Sequence, residues 1–275
     1  MLVVLGPPFE GTDSDYARLS RVTGLVAYDL KTRVKPGVWG VVRALGNELE
    51  AAALVDELRA QGFRACALEP AVGGDPARPF VPLTQLELGD DRMVLHLTER
   101  SMTIPYRALL VMVRGEVHLG SRPPSEHRTS SSTFRAVMPS AAEVAVFREK
   151  AASGELDAYA AVDIHFATVS WAARIDARGF DFAVLPERSG TLAGDLDLLM
   201  DLIVRKSGVR VDRGARASSL VSFAGAPPRS GTPVPGQPRI PPPPRDDRFD
   251  AYSRLVAEAE RLAPRQGSEA PPAPV

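Results

Sequence analysis

The chain has 275 residues, 44% hydrophobic and 24% charged, which is enough apolar material for one large or two small cores. Its 33 Lys and Arg against 34 Asp and Glu leave a formal net charge of −1, so no global field draws in nucleic acid, an anionic membrane or an acidic substrate. Cys66 is the only cysteine, which excludes an internal disulfide and a thiolate-rich metal cluster.

In chain order, "LVVL" at 2–5 reads as a strand. It reaches Pro7 and Pro8 without a charged start or a cleavage site, so a signal peptide is not expected. No stretch approaches the roughly 20 apolar residues of a membrane helix, and the cytoplasm is the default location. "DSDYARLSRVTG" reads as a helix capped by Asp13 or Ser14, and "LVAYDL" at 25–30 as a second extended segment. The strongest helix signal is "ELEAAALVDELRAQG", where Leu49, Ala52, Ala53, Leu54, Val55 and Leu58 cover one broad face and Gly62 closes the end. The strand "FRACALEP" follows, with Cys66 as a small core side chain. Residues 1–72 are therefore expected to form a small α/β module.

A turn-rich stretch at 71–79 precedes "PLTQLEL", "RMVLHLTE" and "SMTIPYRALLVMVRGEVHLG". These segments predict a meandering, mainly antiparallel sheet. A polar loop is expected at 121–133, where Ser130, Ser131 and Ser132 lie near Arg128 and Arg135, a setting that suits phosphorylation but equally a solvated loop. Residues 140–154 read as a helix with the capping-box pair Ser140 and Glu143. Strands return in "AYAAVDIHFATVSWAARI" and "GFDFAVL", and "TLAGDLDLLMDLIVRKSG" reads as an amphipathic helix.

From about 224 the composition shifts to proline, which predicts an extended tether. Within it, "RFDAYSRLVAEAERLA" at 248–263 places Phe249, Tyr252, Leu255, Val256, Ala259 and Leu262 along one helical stripe. The fold class is α+β, with modules at 1–72 and 80–223 and a Pro-rich tail at 224–275 carrying one short docking helix.

Three patterns invite chemistry. In "AVDIHF" the strand alternation sends Val162, Ile164 and Phe166 to one face and Asp163 and His165 to the other, in the Asp-x-His then Gly-Asp order of metal-dependent phosphoesterases. Such a centre needs further ligands to hold its ions and orient the attacking water. No histidine follows His165, the remaining His96, His118 and His127 precede it, and Gly194–Asp195 opens a helix, where the dipole favours an acid. No metal centre is expected. "VVLGPPFEGTD" has the glycine spacing of a phosphate-binding loop at Gly6 and Gly11, but Thr12 stands where the lysine belongs and Pro7 and Pro8 have no amide hydrogen. It reads as a rigid turn. The chain holds no nucleophile elbow, His-Glu-x-x-His pair or dinucleotide fingerprint, and no cofactor is expected. Lastly, 204–216 gathers Arg205, Lys206, Arg210, Arg213 and Arg216 against Asp212. This patch suits phosphate or an acidic protein surface, although cations also favour a helix C-terminus, and no aromatic residue is present to stack on bases.

By elimination, the sequence points to a non-catalytic cytosolic regulatory or adaptor protein with a protein partner, suited to co-regulating a signalling switch. Phe249, Tyr252, Leu255, Val256 and Leu262 are its expected docking residues, fitting a groove on the partner or on the chain's own body. A reversible dock implies that Phe249→Ala with Leu255→Ala leaves the melting of the body nearly unchanged while weakening partner binding at least tenfold, a factor that corresponds to about 1.4 kcal/mol. The competing readings are a metal-dependent hydrolase built on Asp163 and His165, and a nucleic-acid-associated factor using the basic cluster.

Overall fold

The computed structural model describes residues 1–118, 158–216, 218–222 and 247–263. The expected polar loop at 121–133, the helix at 140–154 and the Pro-rich tether lie outside these residues.

The chain is α+β, with two sheets among the described residues. The first has three strands: β1 (Leu2–Gly6) runs antiparallel between β2 (Gly40–Ala44) and β3 (Arg64–Leu68). Three helices cover one of its faces: α1 (Asp13–Thr23), α2 (Ala27–Arg33) and α3 (Glu48–Ala60). Under them Val3, Leu5, Val42 and Ala65 pack against Leu19, Leu30, Leu54, Val55 and Leu58. The cap of α1 is Thr12 rather than Asp13 or Ser14, because Thr12 and Asp15 exchange reciprocal side-chain-to-backbone bonds of 3.1 Å. The segment expected to be extended at 25–30 is mostly α2. Its side chains bury with helical rather than alternating spacing: Leu30 is inside, while Val26 and Tyr28 are 62% and 77% exposed. The buried face of α3 is Ala51, Leu54, Val55 and Leu58, spaced i, i+3, i+4, i+7. Leu49, Ala52 and Ala53 are exposed, so the face is narrower than the sequence suggested.

The second sheet has seven strands in the order β10-β7-β8-β9-β4-β5-β6. They are β4 (Phe80–Leu88), β5 (Arg92–Leu97), β6 (Ser101–Pro105), β7 (Leu109–His118), β8 (Ala158–Phe166), β9 (Ala172–Asp176) and β10 (Val211–Asp212). β4 to β6 do meander, but β8 and β9 return to fill the space between β7 and β4, and the β4–β9 and β7–β10 pairs are parallel. The sheet is therefore mixed. "GFDFAVL" is not a strand: Asp181 caps a single 3₁₀ turn, Phe182–Val184, and Phe180 and Phe182 meet edge to face. One face of the sheet is covered by α4 (Leu192–Ser207), whose Leu196, Leu199, Met200 and Ile203 pack on Val162, Ile164 and Phe166.

The last helix, α5 (Asp247–Leu262), lies between the two sheets. Leu2, Val4, Val41, Cys66 and Leu68 of the first sheet and Val111, Val113, Val117 and Ala161 of the second enclose Phe249, Tyr252, Leu255 and Val256. Ala251, Ser253, Ala257 and Ala259 of the same helix are also buried, and these small side chains let the surrounding chain approach it closely. Two glycines do the same from the body. A Cβ on Gly73 would come within 3.1 Å of Ala251, and one on Gly115 would collide with the Phe249 ring. α5 is thus part of the central core, and the reversible dock expected for 248–263 is corrected accordingly.

Candidate functional site

Among the described residues, the most elaborate polar chemistry lines the slot that holds α5. Near its C-terminal end, the Glu260 carboxylate accepts from Arg64 Nη2 at 2.8 Å, Arg210 Nε at 2.9 Å and Trp39 Nε1 at 2.9 Å. Burial pulls the Glu260 pKa up, but the Arg64 and Arg210 guanidiniums and the indole outweigh it and hold the carboxyl below its ordinary value. Tyr252 donates to Asp212 Oδ1 at 2.6 Å, and Arg210 closes that group by pairing with Asp212 Oδ2 at 3.0 Å. Further along, Arg78 pairs with Glu258, while Arg254 donates to the carbonyls of Arg78 and Gly73 and Arg261 to those of Phe166 and Val169. Phe80 lies between the Arg174 and Arg254 guanidiniums, 4.0 and 4.6 Å from its ring centre.

Asp163 and His165 belong to this slot. As the alternation implies, both leave β8 on the α5 side, and both are buried. Asp163 accepts a bidentate pair from Arg174, at 2.6 Å from Nε and 2.8 Å from Nη2, and Arg174 reaches on to Asp250 of α5. His165 Nε2 bonds Ser253 Oγ of α5 at 2.8 Å. The two residues that suggested a metal centre are therefore engaged by an arginine and by the final helix. Asp195, the other half of the pattern, accepts from Ser189 and Arg188 and ties down the turn that starts α4. Among the described residues, no three His, Cys, Asp or Glu side chains converge as ligands for an ion.

Burial, reinforced by the cations Arg261, Arg174, Arg254 and Arg78, pushes the His165 pKa down to about 3 from 6.5. Because the folded value lies below the unfolded one, this stability is fully present above about pH 6.5 and is lost as the pH falls toward 3, where the unfolded chain binds a proton that the folded chain refuses. At pH 5 the loss is about 2 kcal/mol relative to pH 7.5, or about 4–8 °C in Tm for a body of this size. Thermal melts at the two pH values should show that drop. His165→Gln, which retains a partner for Ser253, should remove most of it, and an equal drop in the variant would assign the acid sensitivity elsewhere.

The basic cluster at 204–216 is dispersed. Arg210 turns inward to Glu260 and Asp212, Lys206 donates to the Gly89 carbonyl, and Arg213 pairs with Asp197. Arg205 is exposed, and the Arg216 side chain lies outside the described residues. Arg213 also borders an open cleft of about 210 Å³ with Arg114, Glu116 and Asp197, in which Asp197 Oδ1 accepts from both arginines. The glycine pattern at the start of the chain has a packing cause: a Cβ on Gly6 would come within 2.5 Å of the fully buried Trp39 ring, and Gly11 takes a positive φ of 70° just before the Thr12 cap. Of the expected docking residues, Phe249, Tyr252, Leu255 and Val256 are buried inside the protein, and Leu262 is 47% exposed at the helix end. The stripe is therefore occupied in cis and is not presented to a partner.

The sequence left the charged partners of α5 unassigned. Asp250, Glu258, Glu260, Arg254 and Arg261 lie off its apolar stripe, and nothing local in the sequence names their partners.

No family model matches the chain, and no curated protein or solved structure is similar to it. No helix among the described residues is long and apolar enough to cross a membrane.

Proposed function

We propose that this chain is a non-catalytic regulatory or adaptor protein of the cytoplasm that acts on a protein partner through the outer surface of its folded body. One observation supports this reading most directly: the groups best equipped for chemistry serve the architecture. Asp163 is closed by Arg174, His165 by Ser253, and Arg64 and Arg210 by Glu260. A body that uses its acids and bases to lock its last helix is suited to presenting a fixed surface, as a co-regulator of a signalling switch would.

The test has two arms. Full-length protein should recover a partner from its source cell that rebinds when both are purified, with a Kd in the micromolar range or tighter, about −8 kcal/mol. In parallel, the purified chain should hydrolyse no phosphoester in the presence of manganese or zinc. Metal-dependent turnover that disappears in Asp163→Asn, with binding and melting otherwise intact, would replace the adaptor reading with the hydrolase.

A further inference from the structure

The outer end of the second sheet carries a set of side chains that the α5 slot does not use. His96 Nδ1 lies 2.8 Å from Ser101 Oγ, and His96 Nε2 lies 2.9 Å from Glu87 Oε1. The three residues come from adjacent strands, Glu87 from β4, His96 from β5 and Ser101 from β6. They share the face turned away from the core, since their neighbours Leu86, Leu95 and Met102 pack on the other face. We propose that Ser101 is a modification site, an activated nucleophile that takes an acyl group from a neutral, activated acyl donor onto its own hydroxyl. A single transfer onto the chain itself needs no turnover, so the inference goes beyond the adaptor reading and does not depend on it.

The strand register builds the arrangement. Leu97 N–H donates to the Arg100 carbonyl at 2.9 Å and Tyr106 N–H to the Asp91 carbonyl at 3.1 Å, so the hydrogen-bonded positions on β6 are Met102 and Ile104. Ser101 and His96 therefore oppose each other as a non-hydrogen-bonded pair, the kind that brings facing side chains closest. Gln85 is the residue opposite His96 on β4, and Glu87 reaches the ring diagonally from two positions along. Thr84 fastens the same strand pair by donating to the His96 carbonyl at 2.8 Å.

The donors and acceptors then assign the roles. A carboxylate only accepts, so Nε2 carries the ring proton toward Glu87 and Nδ1 presents its lone pair to the Ser101 hydroxyl. A nucleophile, a base and an orienting acid in hydrogen-bond reach are the parts that activate a hydroxyl. As Ser101 Oγ bonds to the carbonyl carbon of the donor, its proton passes to Nδ1. The bond from that carbon to the leaving oxygen or sulfur then breaks, and the proton goes with the departing group. Ser101 is exposed, and β6 is the outermost strand among the described residues. By the same alternation its amide points away from β5, where it can donate to the oxygen on which charge develops. Charge sets the class of donor. The Glu87 carboxylate disfavours an anionic phosphoryl donor in this position, and phosphoryl transfer also needs cations to offset its charge. A neutral ester or thioester meets neither cost.

The full-length chain is incubated with p-nitrophenyl acetate near neutral pH, and peptide mass spectrometry follows acetylation residue by residue. Ser101 should acquire an acetyl group roughly tenfold faster than the other exposed serines, or more, and His96→Gln should slow it by about a hundredfold. Glu87→Gln should fall between that variant and the wild type. The melts of both variants, and acetylation of their lysines, should match the wild type, which separates a lost base from a disturbed fold. Wild-type Ser101 that acquires no acetyl group, or acquires it no faster than the other exposed serines, overturns the proposal without recourse to a variant. So does equal acetylation of Ser101 in the wild type and in His96→Gln, because the serine would then react through exposure alone.

Discussion

Replacing Phe249 and Leu255 together with alanine is expected to unfold most of the chain at room temperature. Both side chains are buried between the sheets. Phe→Ala in a core costs about 3–5 kcal/mol and Leu→Ala about 2–5, so the pair removes roughly 5–10 kcal/mol from a total that is typically about 5–15. The loss cannot stay local, because the helix joins the two sheets. Cys66 supplies an internal reporter: its sulfur lies 3.8 Å from the Ala259 carbonyl under α5, and burial pushes its thiol up to about 12. Alkylation should be slow in the native chain and at least a hundredfold faster in the variant, alongside a lost or broadened urea transition. An unchanged melt, with Cys66 alkylated as fast in the native chain as in the variant, would mean that α5 does not sit in the slot in solution, and the reversible dock read from the sequence would return.

That reversal marks where the sequence stops being informative. Elements defined by local periodicity and caps were legible: β1, β3, α3, α4 and α5 fall within a few residues of their expected bounds, and the α+β class follows from them. The alternation that places Asp163 and His165 on one face was legible too. Segment 25–30 misled because aliphatic and aromatic content favours a strand, whereas the solvent exposure of Val26 and Tyr28 that allows a short helix is a tertiary fact. The sheet order was hidden for the same reason, since β8 and β9 insert between β7 and β4, strands formed far earlier in the chain. For α5 the apolar stripe was visible and the rest of the circumference was not. Its acids meet arginines that are remote in sequence, with 180 residues between Arg78 and Glu258 and 196 between Arg64 and Glu260. A charge whose partner lies that far away looks like a solvated charge.

Glu260→Ala tests the polar half of that arrangement. The carboxylate is buried, and its removal leaves the Arg64 guanidinium, itself buried against the Trp39 ring, without an anion and strips Arg210 of one of its two carboxylates. Breaking a buried pair from one side costs about 3–5 kcal/mol, mostly because the remaining charge is stranded. Glu260→Gln should lose less, since an amide oxygen still accepts from the indole or one guanidinium. The direction of the second substitution separates a stranded charge from a lost contact. Adding Arg64→Met to Glu260→Leu removes both charges and restores apolar volume, so the double variant should recover at least half of what Glu260→Ala loses, while Arg210 retains Asp212. Urea unfolding of the wild type and these variants measures each value. A loss under about 1 kcal/mol for Glu260→Ala, the level of an exposed ion pair, would show that this end of α5 is open to water and that the ionic clasp contributes little to holding the sheets together.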